Sequence, residues 1–382
     1  MNNFEFQNPV KLIFGKGEIA RLRDEIAKGT RIMVTYGGGS IKKNGVYDQV
    51  MEALAGYDII EFGGIEANPD YSTLIKAIGI CKETKVDMLL AVGGGSVIDG
   101  TKFIATGALY DGDPWEFMLN PALIGPALPL ATVLTLPATG SEMNNGAVIS
   151  RREQDEKLAF MSPNTYPVFS ILDPTVIYSL PQRQIANGIV DTYAHTLEQY
   201  LTTNIDTFVM DRWAEGLLQT LIEIAPQLMK DQQNYNLCAN FMLTATMALN
   251  GFIAMGVDQD WTTHMIGHEL TALHGLDHAV TLAIVYPGVM HVLRDAKHDK
   301  LLQYAERVWD IREGSEEERI NTVIRKTEEF FRSLGIKTRL SEHHIGDDTI
   351  HTISSRFRNR GWKLGETGVT PDKVEEILKK VK

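Results

Sequence analysis

Val86-Asp-Met-Leu-Leu-Ala-Val92, followed at once by Gly93-Gly-Gly-Ser96, decides how the first half of this chain is read. An almost unbroken apolar run predicts a strand buried on both faces, and the glycines end it in a tight turn before a helix-like stretch. Arg31-Ile-Met-Val-Thr-Tyr36 repeats the arrangement, with Gly37-Gly38-Gly39-Ser40 behind it. Strand, glycine turn and helix in repetition predict an α/β unit with a parallel sheet and crossover helices. From about residue 183 the pattern changes to long stretches of 3.6-residue periodicity with little strand signal, over 184–202, 211–229, 236–254 and 316–334. An α/β N-terminal domain over 1–182 and an all-helical C-terminal domain over 183–382 are therefore expected, divided near Ser179-Leu-Pro-Gln-Arg183.

The chain has 382 residues, 44% of them hydrophobic, enough for a large core and for two or three domains. Its 49 acidic and 37 basic residues give a net charge of −12, which argues against nucleic acid or an anionic membrane surface as partner. Two cysteines, Cys81 and Cys238, cannot make a disulfide framework or a zinc knuckle. The first ten residues show neither a basic nor an apolar leader region, and no apolar run approaches membrane-spanning length, so a cytoplasmic protein is expected.

Glycines after a parallel strand let backbone N–H groups approach a phosphate, and the following helix N-terminus adds its positive dipole end. Neither turn completes the G-x-G-x-x-G fingerprint, since Ile98 and Lys42 occupy the third glycine position. Either could be a plain tight turn; their recurrence favours a shared ligand crevice. A third segment, Thr135-Leu-Pro-Ala-Thr139-Gly-Ser-Glu-Met-Asn-Asn, offers hydroxyls and amides that could bond a carboxamide or ribose, or simply satisfy turn backbone.

Four of the ten histidines fall in one short run, His264, His268, His274 and His278, and Asp191-Thr-Tyr-Ala-His195 adds an acid and an imidazole at i, i+4. That spacing puts both side chains on one helix face, in reach of a shared divalent metal. Surface and core histidines also land at such spacing. Metalloprotease zinc sites need Glu directly after the first His, and Met265 stands there, so a hydrolytic reading loses its general base.

Gly188-Ile-Val-Asp191-Thr-Tyr-Ala-His195, His264-x3-His268-x9-His278 and Gly93-Gly-Gly-Ser-Val-Ile-Asp99 resemble the iron-containing, or group III, alcohol dehydrogenases. The resemblance runs nearly end to end and is nearest to the butanol dehydrogenase and NADPH-dependent aldehyde reductase branch. It implies a dinucleotide-binding first domain, a metal-binding second domain, and an active site in the cleft between them. It implies Asp191, His195, His264 and His278 as metal ligands, and His268 as a residue facing the nicotinamide, for orientation or proton relay. It further implies that Gly94, Gly95 and Ser96 cradle the pyrophosphate with Asp99 nearby, that Thr135, Thr139 and Lys157 approach the nicotinamide and its ribose, and that Asn68 lies beside the adenosine half. His274 departs from the family pattern and is expected to be a spectator.

One carboxylate and three neutral imidazoles leave a divalent ion with a net positive charge, suited to stabilising oxygen charge during hydride transfer. The ligands permit several metals, and the resemblance favours iron(II), then zinc. The expected reaction interconverts a small aldehyde and its primary alcohol, run as an aldehyde reduction by a homodimer. NADP(H) is expected because the turn Gly37-Gly38-Gly39-Ser40 carries no acid and Lys42 and Lys43 follow it. Two other readings share the layout. A dehydroquinate-synthase-like lyase would need a phosphate clamp, yet only Arg212 and Lys230 are basic between residues 184 and 293. A metal or nucleotide sensor would usually lack a ligand, and all four are present.

Overall fold

A computed structural model describes residues 1–203 and 206–382. The strands are β1 (Lys11–Phe14), β2 (Arg31–Tyr36), β3 (Asp58–Phe62), β4 (Met88–Gly94), β5 (Leu130–Leu136), β6 (Gly146–Arg151), β7 (Glu156–Met161) and β8 (Phe169–Leu172). Six of them form an all-parallel sheet in the order β1-β8-β5-β4-β2-β3. Between β2 and β4 the chain's direction of travel reverses, with β2 connecting outward to β3 and β4 leading the other way to β5. In open parallel sheets ligands bind outside the carboxyl ends of the strands at such a switch point. Both Gly-Gly-Gly-Ser turns lie there, after Tyr36 and Val92, which are paired in register.

The helices of the first half are α1 (Leu22–Glu25), α2 (Val46–Ala53), α3 (Tyr71–Thr84), α4 (Gly95–Gly107) and α5 (Trp115–Leu119). Strand β4 starts two residues later than the apolar run and continues through Gly94, so α4 begins directly at Gly95. The antiparallel pair β6–β7, absent from the sequence-based expectation, turns at Asp155, whose φ is 50°. Short polar side chains visit that left-handed region most readily.

The second half consists of α6 (Gln182–Tyr200), α7 (Phe208–Leu228), α8 (Tyr235–Ala248), α9 (Thr262–His274), α10 (His278–Val292), α11 (His298–Trp309), α12 (Glu316–Ser333), α13 (Asp347–Arg360) and α14 (Pro371–Lys380). Ser315 caps α12 with a reciprocal capping box through Glu318, one reason this helix matches its expected limits closely. Helix α8 stops at Ala248, six residues before the end of its periodic pattern. Leu249 leaves helical geometry and Gly251 follows at φ 86°. An apolar cluster that includes Leu270, Ile284, Val289, Phe357 and Leu378 joins α9, α10, α13 and α14.

The chain separates into two compact units. One, with the parallel sheet, comprises residues 7–181 and 231–250; the other, helical, comprises 1–6, 182–230 and 251–382. Helix α8 thus belongs with the sheet and not with the helices beside it in sequence. Thr246 Oγ1 donates to Glu142 Oε1 at 2.6 Å, Asn144 Nδ2 to the Leu249 carbonyl at 3.0 Å, and Gln232 Nε2 to the Tyr178 carbonyl at 2.8 Å. No helix among the described residues is long and apolar enough to cross a membrane.

Candidate functional site

Asp191 and His195 share one face of α6, His264 lies in the first turn of α9, and His278 opens α10. One ligand atom from each falls within 4.8 Å of the others. Asp191 Oδ1 is 3.7 Å from His195 Nε2 and 3.6 Å from His278 Nε2. Tetrahedral coordination at about 2.0–2.2 Å requires ligand atoms roughly 3.3–3.6 Å apart, so this donor set is close to a metal's demands before any ion is added. The donors are one hard oxygen and three imidazole nitrogens, a set that suits iron(II) or zinc. Neither cysteine belongs to the group.

The rings are fixed by their neighbours. His195 and His264 stack with centroids 4.7 Å apart and planes at 20°. Trp261 stands edge-on to His264 at 5.1 Å and adopts φ 62°, a conformation costly for a bulky residue, at the N-cap of α9. Gly275 at φ 66° ends α9 and lets the chain turn, so that His264 and His278 approach from different helices. Asp277, just before His278, takes bonds from Arg183 Nη1 at 2.6 Å and Asn187 Nδ2 at 2.8 Å, tying the start of α10 to α6. Behind His264 lies Glu198, fully buried, whose Oε1 is 3.1 Å from both the ring Nδ1 and the main-chain N of His264. Burial above all, and then Asp260, hold the Glu198 carboxyl well above the usual carboxylate range, against the pull of Lys297 and the backbone N–H groups of His264 and Thr263. Lys297, itself buried, binds Asp260 Oδ2 at 2.6 Å and Glu366 Oε1 at 3.2 Å.

His268 sits one turn beyond His264 on α9, half-buried, its ring 5.4 Å from that of His278 and outside the four-residue group. His274 is exposed and its Nε2 lies 3.0 Å from Thr349 Oγ1.

In the sheet unit the turn after β4 has no room for side chains. A Cβ on Gly93 would lie 2.5 Å from Val97, on Gly94 2.8 Å from Leu136, and on Gly95 2.4 Å from Thr139. No side chain caps α4, so its first N–H groups are not claimed by its own N-cap. Asn68, in the left-handed region at φ 53°, gives its main-chain N–H to Ser96 Oγ at 3.3 Å and accepts from Lys157 Nζ at 2.9 Å. Three residues distant in sequence thus meet at one place. Thr139 Oγ1 accepts from Ser141 N at 3.2 Å, and Ser141 Oγ donates to Asp99 Oδ1 at 2.6 Å. Asp99 also accepts from Val148 N at 2.9 Å, so its carboxylate orders the loop next to the turn. Thr135 is buried at the end of β5. Of the other turn, Gly37 approaches the Ile65 carbonyl, while Gly38 and Gly39 face open space. Lys42 is engaged by Glu61 at 3.2 Å and by the rings of Tyr36 and Tyr47, whereas Lys43 is exposed. An acid from β3 therefore stands at a turn that carries none of its own.

Sequence reasoning passed over Glu198, Asp277 and Trp261. Glu198 follows Asp191 by seven residues and His195 by three, so its placement on the same helix face was there to be read.

A sheet with glycine turns at its switch point and a buried carboxylate–imidazole group are the parts that a metal-dependent, nucleotide-using enzyme requires. Residues 9–174 match the family model of the iron-containing alcohol dehydrogenases, and residues 185–381 match that of the Fe-containing alcohol dehydrogenase family C-terminal region. The chain belongs to the iron-containing alcohol dehydrogenase family. It is 54% identical to the NADPH-dependent aldehyde reductase YqhD of Escherichia coli (strain K12), over 96% of each chain. To the probable NADH-dependent butanol dehydrogenase 1 of Bacillus subtilis (strain 168) it is 45% identical, over 99% of each. Its fold is similar to the crystal structure of Escherichia coli K-12 YqhD, with a TM-score of 0.98 and 52% identity over 100% of this chain and 99% of that one.

Proposed function

We propose that this chain is an NADP(H)-dependent oxidoreductase of a primary alcohol/aldehyde pair, working as an aldehyde reductase with iron(II) or zinc. The observation that carries the proposal is the convergence of Asp191, His195, His264 and His278 on one point. The similarity to YqhD, named as an NADPH-dependent aldehyde reductase, supports the cofactor and the direction.

When bound, the ion supplies Lewis-acid stabilisation of the charge that develops on the carbonyl oxygen as the reduced nicotinamide gives hydride to the carbon. Asp191 would bring the one negative charge and His195, His264 and His278, as neutral rings, none, so a divalent ion held by them would keep a net positive charge suited to an anionic oxygen. Gly94, Gly95 and Ser96 hold the cofactor's pyrophosphate with main-chain N–H groups at the start of α4. Gly37, Gly38, Gly39 and Ser40, with Asn68, receive its adenosine half, and Thr135, Thr139 and Lys157 orient the nicotinamide and ribose. Asp99 acts through Ser141 and the loop backbone. His268, close to the metal ligands without being one, holds or relays the proton that completes the alcohol. The sheet unit is the proposed dinucleotide-binding domain and the helical unit the metal-binding domain, in a cytoplasmic homodimer. Light scattering of the purified protein checks the assembly.

The deciding experiment follows NADPH absorbance with a panel of small aldehydes, on protein stripped of metal and reloaded separately with iron(II) and zinc. Aldehyde-dependent oxidation that requires either metal supports the proposal. Absence of turnover with every aldehyde and both metals overturns it.

A further inference from the structure

We propose that Glu198 is the positioning residue that selects the tautomer of His264, holding the proton on Nδ1 and directing Nε2 to the metal. The inference rests on the metal-site reading and goes beyond its four ligands. Glu198 Oε1 lies 3.1 Å from the main-chain N of His264 and 3.1 Å from its ring Nδ1. A main-chain N–H can only donate, and a carboxylate or carbonyl oxygen accepts it far better than a C–OH oxygen does, so Oε1 is the acceptor and any proton on the group sits on Oε2. The same oxygen must then accept from the ring, which makes Nδ1 the protonated nitrogen and leaves the lone pair on Nε2. One carboxylate oxygen thus reads both the backbone and the side chain of a single residue. It fixes the ring's rotation and its tautomer together. Asp191, His195 and Glu198 occupy one face of α6, so the helix that supplies two ligands also orients a third from α9.

A carboxylate bonded to a ligand's second nitrogen raises the basicity of the imidazole and removes the entropy of ring flipping. Its loss should weaken metal binding by about 10–100-fold. Glu198→Gln keeps the shape and removes the charge, and its amide can also donate to Nδ1, which would place the proton on the wrong nitrogen. The test titrates metal-free wild-type and Glu198→Gln protein with cobalt(II) against a competing chelator, reading affinity and the cobalt absorption bands. The expected result is one tight site in the wild type and at least tenfold weaker binding in the variant. Equal affinity and identical bands overturn the inference while leaving the metal site standing, whereas absence of a tight site in the wild type overturns the metal site itself. If Glu198→Gln does not fold, ring-nitrogen NMR of the zinc-loaded wild type decides. His264 with a protonated Nδ1 and a metal-bonded Nε2 is expected, and ligation through Nδ1 overturns the inference.

Discussion

Replacing Gly95 by alanine tests the phosphate cradle through sterics alone. The new Cβ would stand 2.4 Å from both Cγ2 and Oγ1 of Thr139 and 2.9 Å from its Cβ. Carbon atoms in contact settle at about 3.5–4.0 Å, so more than ~1 Å of overlap must be relieved. Rotating Thr139 does not help, because both its branches and the atom that bears them are too close. The loop resists as well: Thr139 Oγ1 is bonded to Ser141 N, and Lys102 grips Ser141 Oγ at 2.9 Å and the Asn144 carbonyl at 2.8 Å. The start of α4 and the 139–141 turn must therefore separate, which costs about 1–3 kcal/mol as overpacking. A movement of that size takes main-chain donors out of bonding range. Losing one bond to a charged phosphate, worth about 1.5–3 kcal/mol, weakens NADPH binding roughly 10–150-fold. Gly38→Ala is the control, since nothing lies within 4 Å of its Cβ, and its stability should stay within about 0.5 kcal/mol of wild type. Urea unfolding and fluorescence titration with NADPH measure both quantities. A Gly95→Ala protein with wild-type stability and affinity, or a Gly38→Ala protein as unstable as it, would refute the steric reasoning.

His195→Ala and His278→Ala should each lose most bound metal and nearly all turnover, which elemental analysis and the aldehyde assay check; full occupancy with normal rate would remove them from the ligand set. His268→Ala should keep its metal while turnover falls about 10²–10⁴-fold, the range of a proton-transfer group; metal loss in this variant would mean that it is a ligand. Gly39→Asp should shift kcat/KM towards NADH by about ten- to hundredfold, through like-charge repulsion of the 2′-phosphate of about 1–3 kcal/mol. Because Gly39 sits at φ 89°, that variant should also melt earlier, and an unchanged cofactor ratio would show that this turn does not read the phosphate.

The parallel sheet could be read from the sequence because β2 and β4 are buried on both faces and leave no polar alternation to confuse the pattern. The pair Asp191 and His195 was legible for a similar reason, since both lie on a single uninterrupted helix where spacing equals geometry. His264, His268 and His278 were harder. Spacing alone couples His264 with His268, one turn apart, while the structure couples His264 with His278 across the break at Gly275. Only the family resemblance separated them beforehand. Helix α8 carries the same periodicity as its neighbours, and what assigns it to the sheet unit is the polar seating of Thr246 on Glu142, a partner more than a hundred residues earlier. Nor could local reading foresee that Glu61 comes to Lys42, because that approach depends on the pairing of β3 with β2.

The interleaving of the two units bears on how the chain is made. When Pro181 leaves the ribosome the sheet unit still lacks α8, and roughly 70 more residues must emerge before it can close. At ~5–20 residues per second that is a delay of about 3–14 s. Throughout it Phe241, Met242 and Ala245, buried in the finished fold, have yet to arrive, and the ground they will cover stays wet. Glu142, destined for burial against Thr246, keeps its water shell until then. Synthesis therefore sets a waiting period in which a nearly finished domain is sticky, and a chain cut short at residue 182 would never leave it.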